Sequence, residues 1–237
     1  MCDVCGCGDT KKVTIDVHRS LLEDNDHEAA HLREHFAAIA TTVVNLMGSP
    51  GSGKTALLEA TARHWGGGKR LAAVSGDLAT DLDASRLREA GIVSRPITTG
   101  SACHLDAAMV HDAMHEARFA EEVDAADYFF IENVGNLVCP AIYDLGQAAN
   151  VVALSVTEGV DKPLKYPVMF ERAQLVVLTK VDLLLHLPGV SLAALRANVE
   201  RTKPGLEVVE VSATTGQGVA AWCAWLTALA TRAPTSS

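Results

Sequence analysis

Gly48-Ser-Pro-Gly-Ser-Gly-Lys-Thr55 satisfies the pattern G-x-x-x-x-G-K-[ST] at every required position. An apolar stretch, Thr42–Met47, precedes it, and a run with helical spacing, Ala56–Trp65, follows it. A strand, a glycine-rich turn and a helix in that order form a phosphate-binding loop. The glycines let the backbone bend so that successive N–H groups face an anion, and the helix N-terminus adds a favourable dipole. On this reading Gly48, Ser49, Gly51, Ser52 and Gly53 line the phosphates. Lys54 reaches the β- and γ-phosphates, and Thr55 offers a hydroxyl to magnesium.

Outward from this loop, short hydrophobic runs alternate with helical ones. Strands are expected at Leu71–Ser75, Tyr128–Glu132, Val151–Val156, Leu175–Thr179 and Glu207–Val211, besides Thr42–Met47. Helices are expected at Ala84–Ala90, Asp106–Ala117, Leu192–Thr202 and Gly218–Leu229. Runs that are apolar throughout suit strands covered on both faces, so the pattern predicts an α/β domain of the P-loop NTPase kind. Its sheet is mostly parallel and flanked by helices. The domain is expected to span 27–232, beginning with a helix whose apolar positions include Leu32, Phe36 and Ile39. Residues 1–26 read as a flexible, cysteine-rich arm, and 233–237 as a disordered tail.

Of the 237 residues 49% are hydrophobic, enough for a substantial core, and the formal net charge is −9. An acidic balance argues against a broad grip on nucleic acid, which needs clustered Lys and Arg. No apolar leader follows Met1, and no uncharged apolar stretch is long enough to span a bilayer. A cytoplasmic protein that binds neither nucleic acid nor membrane is expected.

Leu175-Val-Val-Leu-Thr-Lys-Val-Asp182 ends in Thr179-Lys180-Val181-Asp182, similar to the N/T-K-x-D element of GTPases. Asp182 can accept hydrogen bonds from guanine N1–H and the exocyclic amine. Adenine offers no such donor pair, so GTP is favoured over ATP. Lys180 lines the base or the phosphate loop, and Thr179 replaces the commoner Asn. Ser212-Ala213 follows the last strand and resembles the second loop that GTPases place beside the base. Asp77, after the second strand, is a candidate magnesium ligand. Glu132 of Glu132-Asn-Val-Gly135 can contact the magnesium shell or orient the attacking water. Lys54, Asp77 and Glu132 are thus the candidate catalytic residues. Asp83 and Arg86 are weaker candidates for a switch region, since a solvated helix face explains them nearly as well.

Three thiols, Cys2, Cys5 and Cys7, lie within six residues of the N-terminus. Thiolates bind soft or borderline metals: a planar N/S set with the Cys2 amine suits nickel(II), a tetrahedral one zinc. A redox pair or an accidental cluster would also explain them. Cys103-His104 and Cys139 leave the same edge of the expected sheet and can converge near the nucleotide. They would offer three ligands, leaving a partner subunit or water to complete the set; buried cysteine as plain packing is the other reading. His27, His31 and His35, and His111 and His115, stand at i, i+4 spacing, which suits one-face chelation but suits a solvated or packed face better. Cys223, between two tryptophans, reads as core.

Together these segments resemble the HypB family, GTPases that help insert nickel into [NiFe]-hydrogenase and share a SIMIBI-type G domain. The resemblance rests on Cys2-x-x-Cys5-Gly-Cys7-Gly, Ser49–Thr55, Cys103-His104-Leu105-Asp106, Glu132–Pro140 and Glu158–Pro167. It implies a high-affinity nickel site at Cys2, Cys5 and Cys7. A second nickel or zinc site at Cys103, His104 and Cys139 is implied too, shared across a homodimer promoted by GTP. The implied cofactors are GTP and magnesium, and the implied partners are a HypA-type accessory protein and the hydrogenase large-subunit precursor. The implied function is a GTP-hydrolysing nickel metallochaperone. A urease-type nickel-insertion GTPase and a nickel or zinc buffer with vestigial GTPase activity are the alternatives. The long His-rich stretch of some members is absent, which argues against bulk nickel storage.

Overall fold

The structure, a computed structural model, describes residues 10–77, 80–100 and 102–232. Cys2, Cys5, Cys7 and the expected tail 233–237 lie outside the described residues.

Seven parallel strands form one sheet in the order β3-β2-β4-β1-β5-β6-β7. They are β1 Thr42–Met47, β2 Leu71–Asp77, β3 Val93–Thr98, β4 Tyr128–Glu132, β5 Ala149–Ser155, β6 Leu175–Thr179 and β7 Glu207–Val211. Every residue of β1, β4 and β6 is buried. The side-chain period of two sends Val44 and Leu46 of β1 to one face and Val43 to the other. On the first face they meet Leu57 and Leu58 of α2 (Lys54–Trp65) and Trp222 and Leu226 of α9 (Val219–Arg232). Trp222 keeps its indole N–H satisfied by donating to Thr61 Oγ1 at 2.8 Å, as a fully buried tryptophan must.

The opposite face is covered in two halves. Leu32 and Phe36 of α1 (Thr10–Ala38), Val110 of α4 (Ala107–Met114) and Phe119 of α5 (Ala117–Asp124) cover β1, β2 and β4. Met169 and Phe170 of α7 (Pro167–Arg172), with Leu195 and Val199 of α8 (Leu192–Thr202), cover β5 and β6. Among the described residues there are two further helices, α3 (Leu82–Glu89) and the single turn α6 (Lys162–Lys165). Among the described residues no helix is long and apolar enough to cross a membrane.

The first helix, one edge strand and the segment after Asp106 depart most from the sequence expectation. The first helix begins at Thr10, where His27 was expected, so the described part of the expected arm is helical. Its early residues carry no sustained apolar stripe, which is the signal such a reading needs. Strand β3 was not expected: it pairs only with β2, and an edge strand tolerates Pro96, whose missing N–H faces no neighbour. The expected helix Asp106–Ala117 is matched by α4, which stops at Met114 and is capped by Asp106 accepting from the Met109 N–H at 2.8 Å, and a further helix, α5, starts at Ala117.

Candidate functional site

The C-terminal ends of the parallel strands lie along one edge of the sheet, the edge where ligands bind in open α/β folds. The phosphate-binding loop leaves β1, and Gly48 is held to glycine by space. Its φ is +152°, and a Cβ would stand 2.4 Å from the Ala153 carbonyl oxygen and 2.6 Å from Ser52 Oγ. The loop after β4 crosses at close range. A Cβ on Gly135 would meet Pro50 at 2.8 Å, and the Asn136 N–H donates to the Gly48 carbonyl at 3.1 Å. Lys54 is buried, its ammonium within 3.4 Å and 3.3 Å of the Gly48 and Ser49 carbonyls. Burial lowers its pKa, opposed by the charges of Glu132, Asp83 and Glu158.

A cavity of about 540 Å³ lies over this loop, lined by Lys54, Thr55, Asp77, Asp83 and Glu132 among others. Thr55 Oγ1 stands 2.7 Å from Glu132 Oε1 and 2.9 Å from Asp83 Oδ1. One hydroxyl proton can be donated to only one of these carboxyls. The other contact is relieved if a carboxyl is protonated, and burial raises the Glu132 pKa to about 6. Hydrogen bonds from Thr55 and Ser75 and the Lys54 charge oppose that shift, while Asp83 adds to it. Such a hard oxygen set is chemically suited to a divalent cation. Asp77 lines the same cavity, and its Oδ1 accepts from the Thr80 N–H at 3.1 Å. Asp83 stands closer to Thr55 than its weight in the sequence suggested; its signal was an acidic residue in the first turn of a helix following β2.

A smaller cavity, about 190 Å³, shares Gly53, Ala56 and Lys180 with the first and is lined also by Thr179, Asp182 and Ala213. Thr179 differs from the usual Asn, and its hydroxyl donates to the Ser52 carbonyl at 2.5 Å. This bond ties the end of β6 to the phosphate loop. Lys180 adopts left-handed φ of 58° and its ammonium donates to the Gly51 carbonyl at 2.6 Å. Ser212 is buried, its Oγ accepting from the Thr215 N–H at 3.1 Å. Ser49 Oγ donates to the Glu158 carboxylate.

Cys103, His104 and Cys139 come together: their ligand atoms all lie within 4.8 Å of one another. The two sulfurs are 3.0 Å apart, and Cys103 Sγ is 3.9 Å from His104 Nδ1. The hydrogen bond with Cys103 and then burial hold the Cys139 thiol above its ordinary pKa. Burial lowers that of His104, favouring the neutral imidazole that ligates metals. The imidazole stacks on Tyr143, with centroids 3.9 Å apart and planes 13° from parallel. Asn133, buried beside Glu132, accepts from the Leu105 N–H at 3.1 Å and donates to Asn45 at 3.1 Å. One β4 segment therefore carries a carboxylate into the nucleotide cavity and holds the loop that bears the thiol and imidazole.

Of the remaining candidates, Arg86 lines the larger cavity and approaches Asp83 at 3.4 Å, and the others stand apart from these sites. Cys223 is core, with its thiol pushed by burial up to about 12. Arg86 pairs with Glu59 at 2.9 Å. His27 packs edge-on against His31, and His35 lies 3.4 Å from Asp124.

A parallel sheet with a phosphate-binding loop after its central strand and a T-K-x-D strand end defines a P-loop nucleotide-binding domain of the SIMIBI type. Residues 42–210 match the CobW/HypB/UreG nucleotide-binding domain family. The chain is 48% identical over 210 residues to the hydrogenase maturation factor HypB of Azotobacter vinelandii, covering 89% of this chain and 68% of that protein. The hydrogenase/urease maturation factor HypB of Helicobacter hepaticus is 43% identical over 192 residues, 81% of this chain and 78% of its own. The crystal structure of HypB from Helicobacter pylori in complex with nickel superimposes with a TM-score of 0.82 at 38% identity, covering 88% of this chain and 95% of that one. The chain belongs to the HypB family.

Proposed function

We propose that this chain is a GTP-hydrolysing nickel metallochaperone that delivers nickel to a [NiFe]-hydrogenase large-subunit precursor. The observation that carries the reading is the pairing of Glu132 and Asn133 on one strand end. Glu132 faces the nucleotide cavity and Asn133 holds the loop of Cys103 and His104. Phosphate sensing and metal holding then share one backbone segment.

In this reading the loop from Gly48 to Gly53 wraps the phosphates and Lys54 neutralises the β- and γ-oxygens. Thr55 and Asp77, with Asp83 beside them, would hold magnesium, which would supply charge stabilisation to the phosphates. Glu132 orients the attacking water. Asp182, Lys180, Thr179, Ser212 and Ala213 enclose guanine. Nickel or zinc, as cargo, binds Cys103, His104 and Cys139, and a fourth donor comes from water or a second copy in a homodimer promoted by GTP. Cys2, Cys5 and Cys7 hold nickel tightly, and a HypA-type protein takes part in the handover.

Lys54→Ala separates this reading from a metal buffer. We expect hydrogenase maturation to be lost in cells carrying the variant; normal maturation would leave a buffer with vestigial hydrolysis. A urease-type role is kept as a second reading because the Helicobacter hepaticus relative is a hydrogenase/urease maturation factor. A deletion strain that loses urease but keeps hydrogenase would favour it.

Asp182→Ala removes the acceptor proposed for the guanine donors. A charged hydrogen bond contributes about 1.5–3 kcal/mol, so GTP affinity should fall by about 10- to 150-fold while ATP affinity stays level. Parallel GTP and ATP titrations check this, and equal losses for both would remove Asp182 from base selection. Asn133→Ala frees the Leu105 N–H. The ratio of nickel affinities with a GTP analogue and with GDP should then move towards one, as competition against a chromogenic chelator would report. An unchanged ratio would rule this bond out as the link.

A further inference from the structure

Helix α4 carries a second group of metal-ligating side chains that the nucleotide and thiol sites do not use. His111 and His115 lie one turn apart, their rings at 80° with centroids 4.0 Å apart. Their Nε2 atoms face each other at 2.6 Å. Two neutral imidazole lone pairs repel at that distance unless a proton or a cation lies between them. The other nitrogen of His111, Nδ1, is 3.3 Å from Glu28 Oε1 on α1. A carboxylate there accepts the Nδ1–H, which fixes the tautomer and leaves the Nε2 lone pair pointing at His115. The same carboxylate–imidazole arrangement recurs behind metal-bound histidines and raises their basicity.

Helix packing holds the arrangement. Asn25 of α1 accepts from the Ala107 N–H at 2.9 Å, at the start of α4, so Glu28 comes level with His111 one turn further along both helices. His115 is the C-cap residue of α4, where the last carbonyls favour a positive charge. At metal–nitrogen distances of about 2.0–2.1 Å, opening the nitrogen pair by about 0.3 Å gives the spacing of ligands at right angles, and by about 0.7 Å that of a tetrahedral pair. Half-exposed side chains make that adjustment at little cost.

We propose that His111 and His115, backed by Glu28, form an ancillary site for one divalent cation of the nickel(II) or zinc(II) class. Both Nε2 atoms bind the ion and water completes its shell. Imidazole donors without thiolate make it weaker than a cysteine site, so it fills after the cysteines and exchanges faster.

The test is a nickel(II) titration of the full chain with Cys2, Cys5, Cys7, Cys103 and Cys139 replaced by serine, against a weak chromogenic competitor. One residual equivalent is expected, weakened at least about 10-fold by His111→Ala or by His115→Ala. Glu28→Gln should weaken it by about 10-fold, the lower end for loss of an outer carboxylate. No residual equivalent, or one indifferent to both histidine substitutions, would overturn the site. If the serine-substituted chain does not fold, nickel(II) is added to the intact chain beyond its cysteine equivalents and followed by imidazole proton NMR. The signals of His111 and His115 should broaden first among the histidines other than His104, which belongs to the cysteine site; broadening that begins at any of those others would overturn the proposal.

Discussion

Replacing Glu132 by glutamine is expected to lower GTP turnover by about 10²- to 10⁴-fold, the range lost with a positioned acid–base group, while relieving a pH-dependent penalty in the nucleotide-free fold. The carboxyl is buried and its pKa is raised from 4.5 to about 6, burial being the main cause. Below pH 4.5 it is protonated both folded and unfolded, and its contribution to folding is favourable and complete. As pH rises through about 6 the unfolded chain ionises first, and that contribution is lost. A shift of this size corresponds to about 2 kcal/mol, or about 4–8 °C in Tm for a domain of this length. Glutamine cannot titrate, so Tm of Glu132→Gln relative to the unsubstituted chain should rise by that amount between pH 4.5 and 6.5. Thermal denaturation without nucleotide across that window provides the check; parallel profiles would remove Glu132 as the titrating group. Unchanged turnover in the variant would separately remove it from the reaction.

The buried carboxylate also explains how a destabilising residue can persist. Without nucleotide, Glu132 is offset only in part by Lys54 and the hydroxyls of Thr55 and Ser75. A magnesium ion beside Thr55 would stabilise the ionised form, so ligand binding and the ionisation of Glu132 reinforce each other. If Glu132 serves the reaction as proposed, function and stability pull in opposite directions at this position, a common compromise in active sites.

The nucleotide half of the molecule was legible because its chemistry is local. Eight consecutive residues carry the phosphate loop, and β1, β4, β6 and β7 have the bounds that their apolar runs predict. The metal cluster was legible only as a possibility of convergence. Cys103 and Cys139 are distant in sequence, and the bond that fixes their loop runs through Asn133, which no spacing rule singles out. Asp83 carries a weak sequence signal for a similar reason: its distance to Thr55 depends on how α3 packs against α2, and a lone acidic residue in a first helical turn usually serves the helix dipole. Thr179 carried the opposite lesson. Its departure from Asn put a base contact in doubt, yet its hydroxyl makes a bond to the phosphate loop that the strand sequence alone does not reveal.

Replacing Cys139 by serine should remove the metal site beside the nucleotide while leaving the fold intact. A serine hydroxyl is not deprotonated near neutral pH and is a hard, weak donor, so nickel or zinc would retain only Cys103 and His104. An affinity loss of at least about 100-fold follows from losing one of two thiolates, at about 1.4 kcal/mol per tenfold change. The chain with Cys2, Cys5 and Cys7 changed to alanine isolates this site, and Cys223→Ser supplies the contrast. Cys223 is 3% exposed within the core around Trp222. Its loss should cost about 1–2 kcal/mol of stability through a buried hydroxyl and leave metal affinity unchanged. The two substitutions thus predict opposite outcomes from the same atom exchange, one in binding and one in folding. Chelator competition together with thermal melts measures both. If Cys139→Ser binds metal as tightly as the parent chain, the 3.0 Å sulfur pair is packing and the cargo must be held elsewhere. If it loses the metal while Cys223→Ser loses only stability, the pair on the loops after β3 and β4 is a ligand set.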